Sequence, residues 1–120
     1  MRSDLLRVED ILTAIANIER YAAQGSSAFF SNELIQTWIL HHLQIIGEAL
    51  RSMSGDFQSR FKESLDWSGW IGLRTIVTHH YFRIEPELIW QTVEQDIPQL
   101  KTSMVAIKAQ LSSSGTKPPA

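Results

Sequence analysis

Residues 90–111 read WQTVEQDIPQLKTSMVAIKAQL. Trp90, Val93, Ile97, Leu100, Met104, Ile107 and Leu111 follow one another at steps of three and four in strict alternation. That spacing lays a single apolar stripe along a helix and suits packing against antiparallel neighbours. Pro98 lies inside the stripe. It has no N–H to offer the carbonyl of Glu94, so a kink is expected there. Pro86, preceded by Glu85, stands where a first helical residue would be.

The same period recurs upstream. Val8, Ile11, Ile15, Ile18 and Ala22 are spaced 3, 4, 3 and 4, which predicts an amphipathic helix capped by Ser3 or Asp4 and ended by Gly25-Ser26-Ser27. A second helix opens near Ser31-Asn32-Glu33, carries Ile35, Trp38, Ile39, Ile46, Ala49, Leu50 and Met53, and stops before Gly55. A short helix follows, around Asp56 to Leu65. A third main helix runs from Ser68 to about His80, capped by Asp66 or Ser68, with Trp70, Leu73, Ile76 and Val77 apolar. No strand pattern, internal repeat or linker interrupts this order. The expected fold is therefore all-α: an up-and-down bundle of four to five helices with a kinked C-terminal helix. The bundle occupies residues 1–111, and Ser112 to Ala120 (SSSGTKPPA) reads as a disordered tail.

Bulk properties narrow the function. A chain of 120 residues with 43% hydrophobic content suits one domain with a proper core. A net charge of -2 gives no global basic field, so nucleic acid would be met through a local patch or with a partner's help. The absence of cysteine excludes disulfides, thiolate nucleophiles and cysteine-zinc sites. Arg7, Glu9 and Asp10 break the N-terminal segment, leaving no signal-peptide core. No apolar stretch approaches the roughly 18 residues of a membrane helix. A soluble, cytoplasmic protein is expected.

Chemistry concentrates in residues 74–82, RTIVTHHYF, where Arg74, His79, His80 and Tyr81 crowd the end of an otherwise apolar helix. A guanidinium offers a planar fork to a phosphate and stabilises charge growing on its oxygens. An imidazole can take a proton from a 2′-hydroxyl or give one to a leaving 5′-oxygen. A phenol can hydrogen-bond a phosphate or stack on a base. At about 100° per residue, Tyr81 falls roughly 20° and Thr78 roughly 40° from Arg74, but His79 falls roughly 140° away. Either the helix unwinds near His79, or two copies of the chain share the site and supply two equivalent His79 side chains.

The spacing Arg74-x4-His79-x-Tyr81 resembles the R-x4-H-x-Y motif of HepT-like proteins in the HEPN superfamily. Trp70-Ile71-Gly72-Leu73 before it and Tyr81-Phe82-Arg83-Ile84 after it agree. So do Leu88-Ile89-Trp90-Gln91-Thr92-Val93, Asp96-Ile97-Pro98-Gln99-Leu100 and, upstream, Leu43-Gln44-Ile45-Ile46-Gly47-Glu48-Ala49. The resemblance spans roughly residues 4–111. It implies a helical-bundle homodimer that is the toxin of a type VII-like HEPN/MNT toxin–antitoxin system, with a small MNT-type nucleotidyltransferase as antitoxin. It further implies metal-independent RNA cleavage without a cofactor, with tRNA as the substrate and with Arg74 and His79 catalytic. Tyr81 would be the residue that the antitoxin AMPylates to silence the toxin. Thr75 and Thr78 would support the site. The residue after the arginine is often Asn or Asp in the superfamily and here is Thr75, which stays polar. That departure and the acidic balance fit an alternative, a non-catalytic helical module that binds and regulates a nucleotidyltransferase.

Other conspicuous residues have plainer readings. His41 and His42 are adjacent, so a helix sends them in different directions and they make a poor metal pair. His42 sits near the centre of an apolar stripe, as a hydrogen-bonded buried or interface histidine does. The four tryptophans read as core or interface anchors, and Gly47 as a point of close helix approach.

Overall fold

A computed structural model of the chain describes residues 2–79 and 85–116, and within these the side chains of residues 2–73 and 85–113. Every regular element among them is helical. The order is α1 (Asp4–Ala22), α2 (Ser26–Ser31), α3 (Glu33–Arg51), α4 (Gly55–Arg60), α5 (Trp67–His79), α6 (Pro86–Gln91), a π-helical turn (Thr92–Asp96) and α7 (Ile97–Thr116). The last three follow without a break, so the chain forms four long rods and two short connecting helices, α2 and α4.

Each rod starts where its sequence stops it from starting later. Ser3 Oγ accepts from the backbone N–H of Leu6 at 3.2 Å and caps α1. Asn32 Oδ1 accepts from Leu34 N and Ile35 N and caps α3. Ser54 Oγ does the same for α4 through Phe57 N. Such caps satisfy amides that the helix itself leaves without partners. Gly25, with φ of 95°, occupies the left-handed region that permits α1 to turn directly into α2.

α3 packs against α1 on one side and α5 on another, and α7 packs along α1. α1 runs antiparallel to both α3 and α7. The end of α3 lies beside the start of α1, where Asp4 accepts from Ser54 N and Ser54 Oγ at 2.9 and 2.6 Å. The start of α7 lies beside the end of α1, where Lys101 Nζ meets Glu19 at 3.1 Å. Ile11, Ile15, Ile18, Ile39, Leu43, Ile46, Leu50, Leu100, Met104 and Ile107 form the innermost layer, each essentially removed from water. Burial of each such side chain is worth about 1.5–3 kcal/mol relative to exposure. The expected bundle is the fold observed.

Three details differ from the sequence reading. Residues 26–31 form a helix of their own, whose Phe29 is fully buried and stacks on Trp90 with ring centroids 5.0 Å apart. Just before Pro98, where a kink is expected, the backbone makes a π turn, with Ile97 N bonding to the carbonyl of Thr92. This wider turn moves the stripe's first member from Trp90 to Ile89, since Ile89, Val93 and Ile97 are the buried set and stand four apart. Helix α7 continues to Thr116 instead of ending at Leu111; the rest of the expected tail, residues 117–120, lies outside the described residues. No helix among the described residues is long and apolar enough to cross a membrane.

Candidate active site

The motif arginine and histidine stand on α5, and local chemistry sets where that helix begins. Asp66 accepts from Gly69 N at 3.1 Å through its side chain and from Trp70 N at 3.1 Å through its carbonyl. Ser68 Oγ adds a donor to the same carboxylate at 3.4 Å. A Cβ on residue 69 would collide with the Asp66 carboxylate, so glycine there is what lets the cap close. Two tryptophans then seat the helix. Trp67 Nε1 donates to the carbonyl of Phe61 at 3.0 Å and its ring meets Phe57, while Trp70 is buried in the core.

From this anchored start the backbone is helical through His79. Of the two options the sequence left open, unwinding near His79 is not seen up to His79 itself, and the residues that follow it lie outside the described ones. Helical register divides the motif between two sides of α5. Arg74 and Thr78 lie about 40° apart, on the side of Trp67 and Trp70. Thr75 and His79 also lie about 40° apart, and His79 is roughly 20° from Gly72 on the opposite side. Arg74 is about 160° from Gly72. The side chains of Arg74, Thr75, Thr78 and His79, and all of His80 and Tyr81, lie outside the described residues.

The Gly72 side of α5 borders a cavity of about 430 Å³, closed across from it by the π turn and the start of α7. Its polar lining includes Asp66, Ser68, Thr92, Asp96, Gln99 and Ser103. Burial, and then the neighbouring charge of Asp66, push the Asp96 carboxyl above the ordinary aspartate range. Thr92 Oγ1 donates to the carbonyl of Leu88 at 3.0 Å and Ser103 Oγ to that of Ser64 at 2.8 Å. Neither hydroxyl proton is left for a ligand. Gly69, Trp70 and Leu73 line it beside Gly72, so the cavity spans a wide arc of α5 that holds the register position of His79 and reaches Trp70, about 40° from that of Arg74. Sequence reasoning missed Asp96 and the cavity because both depend on the π turn. The only written signal of that turn is Pro98, whose missing N–H a continuous α-helix would have needed.

His42 is 7% exposed, and neither ring nitrogen has a hydrogen-bond partner. Burial lowers its pKa, and the nearby His41 lowers it further. Its ring packs on Trp38 at 4.6 Å. It borders a second cavity, of about 400 Å³, between α1 and α3. The expected burial is present and the expected hydrogen bond is not. Among the described residues, no group of three or more His, Asp or Glu side chains could hold a metal ion.

A helical bundle whose third long rod carries the arginine and histidine of an R-x4-H-x-Y motif defines a class, and comparison with known proteins gives the family. The family described as Ribonuclease HepT-like matches residues 11–107, so the chain belongs to the HepT-like ribonucleases of the HEPN superfamily. It is 33% identical over 95 residues to a protein named as a probable ribonuclease HepT in Thermococcus cleftensis, covering 78% of this chain and 86% of that one. It is 38% identical over 73 residues to a candidate RNase of Methanocaldococcus jannaschii, covering 61% and 66% of the two chains. A second protein of that organism, named as both a gamma-glutamylcyclotransferase and a candidate RNase, is 29% identical over 113 residues. That match takes in 92% of this chain and half of the relative. No solved structure matches.

Proposed function

We propose that this chain is a metal-independent RNA endonuclease whose active site is shared between two copies. The observation that carries the reading is the register of α5, in a chain of the HepT-like family. A helix that is continuous through His79 sets Arg74 and His79 roughly 140° apart, too far round for one straight helix to present both to one phosphate. A two-fold interface removes the difficulty, because each site can draw its arginine and a histidine from different chains.

In the chemistry this arrangement serves, the RNA 2′-hydroxyl attacks the adjacent phosphorus and the P–O5′ bond breaks. The products are a 2′,3′-cyclic phosphate and a free 5′-hydroxyl. The His79 imidazole removes the 2′ proton and, as the imidazolium this makes, protonates the leaving O5′, while Arg74 stabilises the charge gathering on the non-bridging oxygens. Thr75 and Thr78, one turn from His79 and Arg74 respectively, support them. The RNA we favour is tRNA. The partner we favour is an MNT-type nucleotidyltransferase antitoxin that AMPylates Tyr81, placing a phosphate and an adenosine beside Arg74 and blocking the site.

The test is expression of the chain alone beside a His79→Ala variant. Growth arrest and RNA cleavage that persists in a chelator should appear for the first and vanish for the second. Equal behaviour of the two would overturn the catalytic reading in favour of a binding module. After co-expression with the nucleotidyltransferase, intact-mass analysis should show one added AMP group. A Tyr81→Phe variant that gains the same mass would move the acceptor elsewhere.

A further inference from the structure

Away from the motif helix, the last turns of α1 and the first half of α3 enclose a cavity of about 530 Å³. Three rings, those of Tyr21, Trp38 and His41, form its walls, and Gln24, Asn32 and Thr37 bring hydrogen-bonding groups to it. The rings are held in advance. Trp38 Nε1 donates to the carbonyl of Asn17 at 2.9 Å, which uses the indole's one donor and leaves its π surface as what it can offer. Tyr21 meets Trp38 edge-on at 5.3 Å between centroids. Asn32 Oδ1 is engaged in capping α3, so its amide NH₂ is the group left for a ligand. The guanidinium of Arg20 sits over the Tyr21 ring at 5.5 Å and places a positive charge beside the cavity.

We propose that this cavity is a subsite for one unstacked base of a single-stranded RNA. The proposal rests on the ribonuclease reading and names the form of RNA that the enzyme takes. Ring surfaces, side-chain amides and a nearby cation are what recognition of splayed-out bases uses. The volume lies in the range of small-ligand sites, large enough for a base and its ribose. A groove that seats a partner helix would be mainly aliphatic, whereas here, among the described residues, Leu34 and Ile35 are the aliphatic side chains of the lining. Helix α3 is the shared wall: it lines the cavity and packs on both α1 and α5, the helix that bears the motif. A base held on one side of this rod is thereby set at a constant distance from a phosphate on the other, which selects the bond that is cut.

The test uses the full chain and a short 2′-O-methyl oligoadenylate, a probe that cannot be cleaved, read by fluorescence anisotropy. His41→Ala and Gln24→Ala alter exposed positions, so the fold should survive both. His41→Ala should weaken binding by about 5- to 150-fold, the range expected for one lost base stack. Gln24→Ala should weaken it less. In cleavage assays both should raise KM by more than they lower kcat. Unchanged binding in the two variants overturns the subsite. So does a Leu34→Glu variant that dissolves an oligomer while RNA affinity stays the same, because the face would then be covered by a second copy. The two readings fail separately. Binding that depends on His41 in a chain that cuts no RNA keeps the subsite and ends the ribonuclease reading, while cleavage with equal KM in all variants does the reverse.

Discussion

His42 is a polar group held at a disadvantage. Both ring nitrogens are buried without partners, and an unsatisfied buried donor or acceptor costs about 1–3 kcal/mol. Its lowered pKa fixes the sign of a pH effect. In the unfolded chain the imidazole takes its proton near pH 6.5, about the usual value for histidine. In the folded chain it does so only at lower pH. Between the two the unfolded state binds more protons, so stability is full above the unfolded pKa and falls as pH drops through that window. The groups around it are His41 on the same helix, Arg7 and Asp10 across the cavity on α1, and Glu48 one turn and a half further along α3. Asp10 is already paired with Arg2 at 2.6 Å. His42→Leu should raise the Tm at pH 7.5 and shrink its fall between pH 7.5 and 5.5; thermal melts of both proteins across that range decide it. A variant that melts lower than the parent at pH 7.5 would mean that the imidazole is satisfied after all. The burial of His42 was legible in its place on the apolar stripe. Its lack of a partner was not, since that depends on what α1 happens to set opposite it.

At the scale of elements, Asp66 and Gly69 form one device that starts the motif helix. Asp66→Ala should cost about 1 kcal/mol, as the loss of a side-chain cap usually does. Gly69→Ala would ordinarily strengthen a helix by up to about 1 kcal/mol. Here the new methyl displaces the capping carboxylate, so the single substitution should destabilise. Once Asp66→Ala has removed the obstacle, the same Gly69→Ala change should stabilise. A double-mutant cycle by urea denaturation reads this change of sign, and additive effects would disprove the coupling. The same scale shows what periodicity can and cannot reveal. Val8, Ile11, Ile15 and Ile18 repeat with the α-helical period and are buried as that period requires. The stretch from Ile89 to Ile97 obeys the wider period of a π turn. A stripe counted in threes and fours therefore starts one residue late, at Trp90. Helix α2, with six residues, is too short for any period to register. It is formed because Phe29 finds Trp90, a contact between residues distant in sequence. The motif was legible as spacing alone, and α5 adds that the spacing splits across two sides of a continuous helix.

The described residues span 57 × 27 × 24 Å, drawn out by the rod that joins α6, the π turn and α7. The motif helix carries Arg74 and His79 at register positions on different sides, and the proposed site is completed by a second copy. A shared site makes a prediction that no single-chain site can imitate. Arg74→Ala and His79→Ala should each be inactive when purified alone. If each site takes its arginine from one copy and its histidine from the other, a dimer with one protomer of each kind has one site missing both groups and one site intact. Random re-pairing of equal amounts makes half of the dimers mixed, so about a quarter of the parent activity should return. RNA cleavage before and after the two variants are mixed and allowed to exchange subunits measures this directly. Activity that stays at the level of the separate variants, with exchange verified by a size or mass label on one of them, would place the whole site within a single chain. That outcome would require the segment after His79 to bring its groups round to Arg74. Recovery near a quarter assigns the arginine and the histidine of each site to different copies, and explains why a continuous helix can hold the two out of each other's reach.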